Sequence, residues 1–132
     1  MTPVPQSASI HTMLAANYDI TLDRAAEYTF VLTIQNQLEQ PIDIGEADFY
    51  ADVRDSVTKK TVCNFSPTIL DGGDNGQVAF ALSEANTLLL KAGGNYEYDI
   101  FMRRDTTMER LIFGSVTVRA NYTKGIPVDP IS

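Results

Sequence analysis

The chain has no tryptophan, one cysteine and one histidine, and these scarcities remove most chemistries before any motif is sought. A lone Cys63 cannot close an internal disulfide. It sits in Thr61-Val62-Cys63-Asn64-Phe65, a strand-like setting that reads as a plain buried or half-buried thiol. His11 stands near Ser9 and Thr12 with no cysteine or carboxylate close by in sequence. A metal site or a general base needs a fixed constellation around the imidazole, so His11 reads as an ordinary exposed residue. No glycine-flanked nucleophile elbow occurs. No apolar run approaches the roughly 20 residues of a membrane-spanning helix. The start, Met1-Thr2-Pro3-Val4-Pro5-Gln6-Ser7, lacks the basic and apolar regions of a secretory signal, which makes a cytoplasm the expected place of synthesis.

Positive charge is also in short supply. Ten Lys and Arg stand against 17 Asp and Glu, for a net charge of -7, and the basic residues adjoin only at Lys59-Lys60 and Arg103-Arg104. Both pairs fall where hairpin ends are expected. Phosphate binding calls for clustered cations, so nucleic acid is not an expected partner. Asp71, Asp74 and Asn75 supply oxygens in a glycine-rich stretch. Their spacing departs from the twelve-residue calcium loop and no glutamate closes it, which leaves turn chemistry. No catalytic residue, cofactor, metal or small-molecule substrate is expected.

What the sequence does have is alternation. Tyr18, Ile20 and Leu22 alternate with Asp19, Thr21 and Asp23; Tyr28, Phe30, Leu32 and Ile34 form one face of 27–35; Phe49, Ala51 and Val53 alternate with Asp48, Asp52 and Arg54. Each pattern has the period of two that marks a half-buried strand. Ile42–Ile44 reads as a short extended segment ended by Gly45. Val62 to Asn64 reads as a short irregular strand near a sheet edge, because Pro67 cannot donate to a ladder. The turn Asp71-Gly72-Gly73-Asp74-Asn75-Gly76 leads into Gln77–Leu82, another alternating strand. Ser83 fits the N-cap of one or two helical turns that end at Gly93-Gly94 and bridge the two sheets. Tyr96, Tyr98, Ile100 and Met102 then share a face, with Glu97, Asp99 and Arg103 on the other. A turn near Asp105-Thr106-Thr107 precedes a long strand over 110–122, in which Gly114 marks a bulge or a bend.

Seven to eight short strands with turns between them predict an all-β, immunoglobulin-like antiparallel β-sandwich with one short helical turn. A small closed barrel is the alternative. Tyr96 and Tyr98 read as core, with a hydroxyl that anchors a corner. The sandwich is expected over residues 17–124, between an extended N-terminal arm, 1–16, and an extended C-terminal arm, 125–132.

Tyr18-Asp19-Ile20, then Pro41-Ile42-Asp43-Ile44-Gly45 before a strand ending in Val53-Arg54, then Gly94-Asn95-Tyr96-Glu97-Tyr98-Asp99-Ile100, and finally Leu111-Ile112-Phe113-Gly114-Ser115-Val116-Thr117-Val118 together resemble a family of small phage virion β-sandwich domains. They are similar to the N-terminal domain of phage baseplate upper proteins. The resemblance covers about residues 18–123 and departs at Arg24-Ala25-Ala26, where the family often has a glycine-containing turn. It implies a non-enzymatic virion structural protein, a tail or baseplate component acting in assembly or fibre attachment. The alternatives are a capsid decoration or head-fibre protein and a module that binds host-surface glycans or proteins. The implied partners are other virion proteins and further copies of the chain, with no membrane and no nucleic acid. Proline-bearing arms resist helix formation and suit contact along a neighbour. Pro3, Val4, Pro5 and Ile10 in one arm, and Ile126, Pro127, Val128 and Pro130 in the other, are therefore the expected partner-binding residues, on arms expected to order on assembly.

Overall fold

A computed structural model of the chain describes the backbone of Gln6–His11 and all of residues 16–120. Ten strands follow in order: β1 (Gln6–His11), β2 (Ala16–Asn17), β3 (Ile20–Asp23), β4 (Tyr28–Gln35), β5 (Asp48–Asp55), β6 (Thr61–Asn64), β7 (Ser66–Ile69), β8 (Gln77–Leu82), β9 (Tyr96–Arg104) and β10 (Thr107–Arg119), with one short helix, α1 (Glu84–Thr87), between β8 and β9. They form two sheets. One runs β1-β4-β8-β7; the other runs β2-β10-β9-β5-β6, with β3 also on β10. In the first sheet the first, second, fifth and fourth strands of an immunoglobulin-like domain lie side by side, and in the second its sixth strand lies between the third and the seventh. The expected sandwich is the observed architecture.

Alternation dictates the core. β4 buries Tyr28, Phe30, Leu32 and Ile34, β8 buries Val78, Phe80 and Leu82, and β9 buries Tyr96, Tyr98, Ile100 and Met102. In place of an intersheet disulfide stands an aromatic cluster. Phe30 lies 5.6 Å from Phe80, 6.0 Å from Tyr18 and 6.1 Å from Phe65, and Phe65 lies 5.9 Å from Tyr98 between ring centroids. Such pairs each add about 0.5–1.5 kcal/mol to simple area burial.

Local details refine the expected elements. Ser83 does cap α1, its hydroxyl accepting from the Asn86 N–H. Arg24 donates from Nε to the Leu90 carbonyl at 2.9 Å and from a terminal nitrogen to that of Leu88, closing the end of the helical segment. Buried Thr87 donates to the Ala26 carbonyl, so α1 is fastened to the turn that joins β3 to β4. In that turn Ala25 holds a φ of 68°, the left-handed region that glycine adopts without cost. Pro67 lies in β7, the edge of the smaller sheet, while β6 is the edge of the larger; the chain changes sheets at Phe65.

Three expectations are corrected. Pairing is not wholly antiparallel: β1 runs parallel to β4, and β2 and β3 run parallel to β10. Gln6–His11, read as part of an arm that orders on assembly, pairs with β4 of its own chain, and Ala16 belongs to β2. Ile42–Ile44 belongs to no named strand, and Ile44 is buried with its N–H donating to the Gly73 carbonyl. In β10, which spans 107–119 in place of 110–122, the register shift falls between Arg110 and Ile112 and not at Gly114.

Gly114 has a different task. It pairs with Tyr98 in register, and a Cβ there would lie 2.3 Å from the Tyr18 carbonyl oxygen. The missing side chain lets the link between β2 and β3 sink onto β10. There the Tyr18 N–H donates to the Phe113 carbonyl, Asp19 accepts from the Ser115 N–H, and the Tyr98 hydroxyl donates to the Tyr18 carbonyl. Tyr98→Phe leaves that carbonyl without its buried donor and is expected to cost about 1–3 kcal/mol. Gly114→Ala forces backbone apart, at a cost of about 3 kcal/mol. Urea unfolding of both variants and of their combination checks this; losses that simply add in the double variant would show that the two do not share one seat.

Candidate partner-binding surfaces

Strand directions sort the loops. Residues 36–47, 70–76 and 105–106 gather at one end of the sandwich; the 24–27 turn, residues 56–60 and the 83–95 segment lie at the other. Gln6, the first described residue, and Arg119, the end of β10, belong to this second end. Of the expected contact residues, Ile10 lies in β1 opposite Ile34. Pro3, Val4, Pro5, Ile126, Pro127, Val128 and Pro130 lie outside the described residues.

The three-loop end is concave, lined by Asp43, Gly45, Glu46, Gly72, Asp74, Arg104 and Asp105. Its floor is backbone on backbone. A Cβ on Gly73, at φ 91°, would lie 2.4 Å from the Gly45 nitrogen, so the loop before β5 and the loop before β8 touch directly. Asp43 accepts from the Gly45 N–H at 2.9 Å and shapes the first of them. Among the described residues no group of three or more His, Cys, Asp or Glu side chains is placed to hold a metal ion.

The outward face of the larger sheet is unlike a plain solvated face. Register sets Asp48, Arg103 and Met108 in one row, Tyr50, Phe101 and Arg110 in the next, then Asp52, Asp99 and Phe113, then Arg54, Glu97 and Ser115. The last two rows hold an ionic ladder. Arg54 donates to both oxygens of Asp99 at 3.1 and 3.0 Å and reaches Glu97 at 3.4 Å, while Lys59 Nζ lies 2.7 Å from Glu97. Over the first three rows, rings lie under guanidinium groups. Arg103 stands 5.9 Å from the centroid of Tyr50, and Arg110 stands 4.4 Å from that of Phe113. Tyr50 and Met108 remain 45% and 44% exposed. The outward residues of the smaller sheet include Thr29, Val31, Thr33, Ala79, Ala81 and Thr68, and offer no comparable anchors. Sequence reading placed the carboxylates of β5 outward but passed over Tyr50, Phe101 and Phe113. Their signal was one aromatic among the polar outward positions of each of β5, β9 and β10.

Electrostatics agree with structural roles for the titrating groups. Donation from Lys59, followed by that from Arg54, holds the Glu97 carboxyl below its usual range. Burial raises the Tyr98 and Tyr28 hydroxyls above the normal tyrosine range, and pushes the Cys63 thiol up to about 11. Desolvation raises Glu109.

No protein-family model matches the chain, and no curated protein does. Among solved structures, the crystal structure of DIP-gamma IG1+IG2 aligns at a TM-score of 0.43 with 10% identity, covering 82% of this chain and 47% of that one. The chain thus spans about half the length of that match.

Two outcomes are expected. Because the folded-state pKa of Glu97 lies below its unfolded value, its contribution is present above the ordinary carboxylate range and is lost as pH falls through the lowered value. Melting curves from pH 7 to pH 3 on Glu97→Gln should show a shallower acid loss than wild type, by at most about 1 kcal/mol for so exposed a pair; an identical acid slope would contradict the assignment. Cys63 should resist iodoacetamide at pH 8 in the native state and react at least tenfold faster in urea, since both burial and a raised pKa withhold the thiolate. Equal rates, read by mass spectrometry, would show an open thiol.

Proposed function

We propose that this chain is a non-enzymatic structural protein of a bacteriophage particle, a tail or baseplate component acting in assembly or fibre attachment beside other virion proteins. One observation carries the reading. Residues from the separate motifs that resemble the phage domain family, Tyr18-Asp19 in the first, Tyr98 in the third and Gly114-Ser115 in the fourth, meet at a single seat in three dimensions. A motif order maintained by such a seat supports common architecture better than scattered similarities would.

The distribution of surfaces supports the same role. The rigid core is held by rings and by a pinned strand, the described termini share one end, and the three-loop concavity faces away from them. A domain tethered at one end and exposed at the other suits a place within an assembly. Mass spectrometry of purified particles should find the chain at a constant copy number, and immunogold labelling should place it on the tail or baseplate. Labelling over the whole capsid would favour a decoration protein, and absence from the particle would overturn the proposal.

A further inference from the structure

We propose that Asn75 is a self-modification site, where the backbone nitrogen of Gly76 displaces the carboxamide nitrogen to leave an aspartyl or isoaspartyl residue, and that the folded turn withholds this reaction until residues 70–76 open. Asn75 alone among the asparagines of the chain precedes glycine, whose missing side chain leaves its peptide nitrogen unhindered. Asn75 is exposed, and no hydrogen bond to the described residues holds its carboxamide. Asn36, by contrast, accepts from the Leu38 and Gln40 N–H groups, and Asn86 donates to the Asn64 carbonyl.

The step needs no reagent but water. The Gly76 nitrogen gives up its proton and bonds to Cγ of Asn75, the carboxamide C–N bond breaks, and ammonia leaves with that proton. Water then opens the cyclic imide. Attack at Cγ gives aspartate; attack at the main-chain carbon gives isoaspartate, whose backbone runs through Cβ and Cγ and is one carbon longer.

The native turn opposes ring closure. The Gly76 N–H donates to the Gly73 carbonyl at 3.1 Å and Asp74 holds φ −62° and ψ −31°, so residues 73–76 form a type I turn with Asn75 in its third position, where ψ is about 0°. Closure needs the Asn75 Cα–Cβ bond to eclipse its peptide bond to Gly76, far from that ψ, and it needs the proton that the Gly73 carbonyl engages. Neither glycine is free to move. A Cβ on Gly76 would lie 2.4 Å from the Ile34 carbonyl oxygen, and a Cβ on Gly73 would lie 2.4 Å from the Gly45 nitrogen. The Ile34 N–H donates to the Gly76 carbonyl and the Ile44 N–H to that of Gly73. Local opening of the loop therefore sets the pace. Aspartate at 75 keeps the native chain length between these two fixed points. Isoaspartate does not, so its formation is one-way and releases the floor of the three-loop concavity.

This inference does not rest on the virion reading. Peptide mass mapping of the full chain held at pH 8 should find deamidation at Asn75 at least tenfold faster in guanidinium chloride than in native buffer. In denaturant Asn75 should also outpace Asn36, which precedes glutamine, and Asn75→Gln should remove the signal. A native rate that matches or exceeds the denatured one, or an Asn75 no faster than Asn36 in denaturant, overturns the proposal. The isoaspartyl product, separated and returned to native buffer, should lose hydrogen-exchange protection at the Ile34 and Ile44 amides at least tenfold, whereas Asn75→Asp retains it. Full protection of both amides in the isoaspartyl chain would show that the turn recloses, and would overturn the one-way step.

Discussion

The hydrogen bond from the Tyr98 hydroxyl to the Tyr18 carbonyl is the contact on which the sandwich depends most. A phenol at the centre of a core is tolerable only with an acceptor, and a bent backbone link brought into the core is tolerable only with a donor. Each satisfies the other, and Gly114 makes room for the meeting. Two residues before Tyr98, Tyr96 performs the related task at the start of the same strand, its hydroxyl accepting from the Lys91 N–H at 2.9 Å. That is the corner expected at the start of this strand in an immunoglobulin-like domain. Tyr98 then stands where antibody domains place a cysteine. The covalent tie between sheets is replaced by a ring cluster and a hydroxyl.

Such a core has consequences for the surfaces. Alternation places every second residue outward, so strands rich in aromatic and β-branched residues for the sake of the core leave their outward positions open to selection for contact. In the smaller sheet those positions are mostly small or polar. In the larger sheet they carry rings beneath guanidinium groups at one end and a closed ionic ladder at the other. The ladder satisfies its own charges and repels further burial; the aromatic rows retain exposed apolar area whose removal from water is favourable. The distinction between them lies in pairing, since both contain arginines and carboxylates on neighbouring strands.

The loops divide along similar lines. At one end α1 is locked down by Thr87 and Arg24, and Leu90 is fully buried beneath it. At the other, glycines bring two loops into backbone contact and leave a shallow acidic hollow. The first end is closed by side chains, the second by main chain. This asymmetry gives the molecule one end committed to its own stability and one whose carboxylates face the solvent.

Much of this was legible along the chain. Tyr28 to Ile34, Val78 to Leu82 and Tyr96 to Met102 declared their inward faces, because a strand's periodicity is local and burial on one side is enough to impose it. Ser83 announced its cap for the same reason: the hydroxyl and the N–H it serves lie three residues apart. The sequence by itself therefore determined which residues go inside, where the turns fall and that the product is a sandwich. It could not show that Gln6–His11 pairs with β4, that the chain changes sheets at Phe65, or that Gly114 receives the Tyr18 carbonyl. Nor could it place Tyr50 beside Phe101 and Arg110. Those facts depend on register between strands distant in sequence, and register is decided by the packing of both sheets at once.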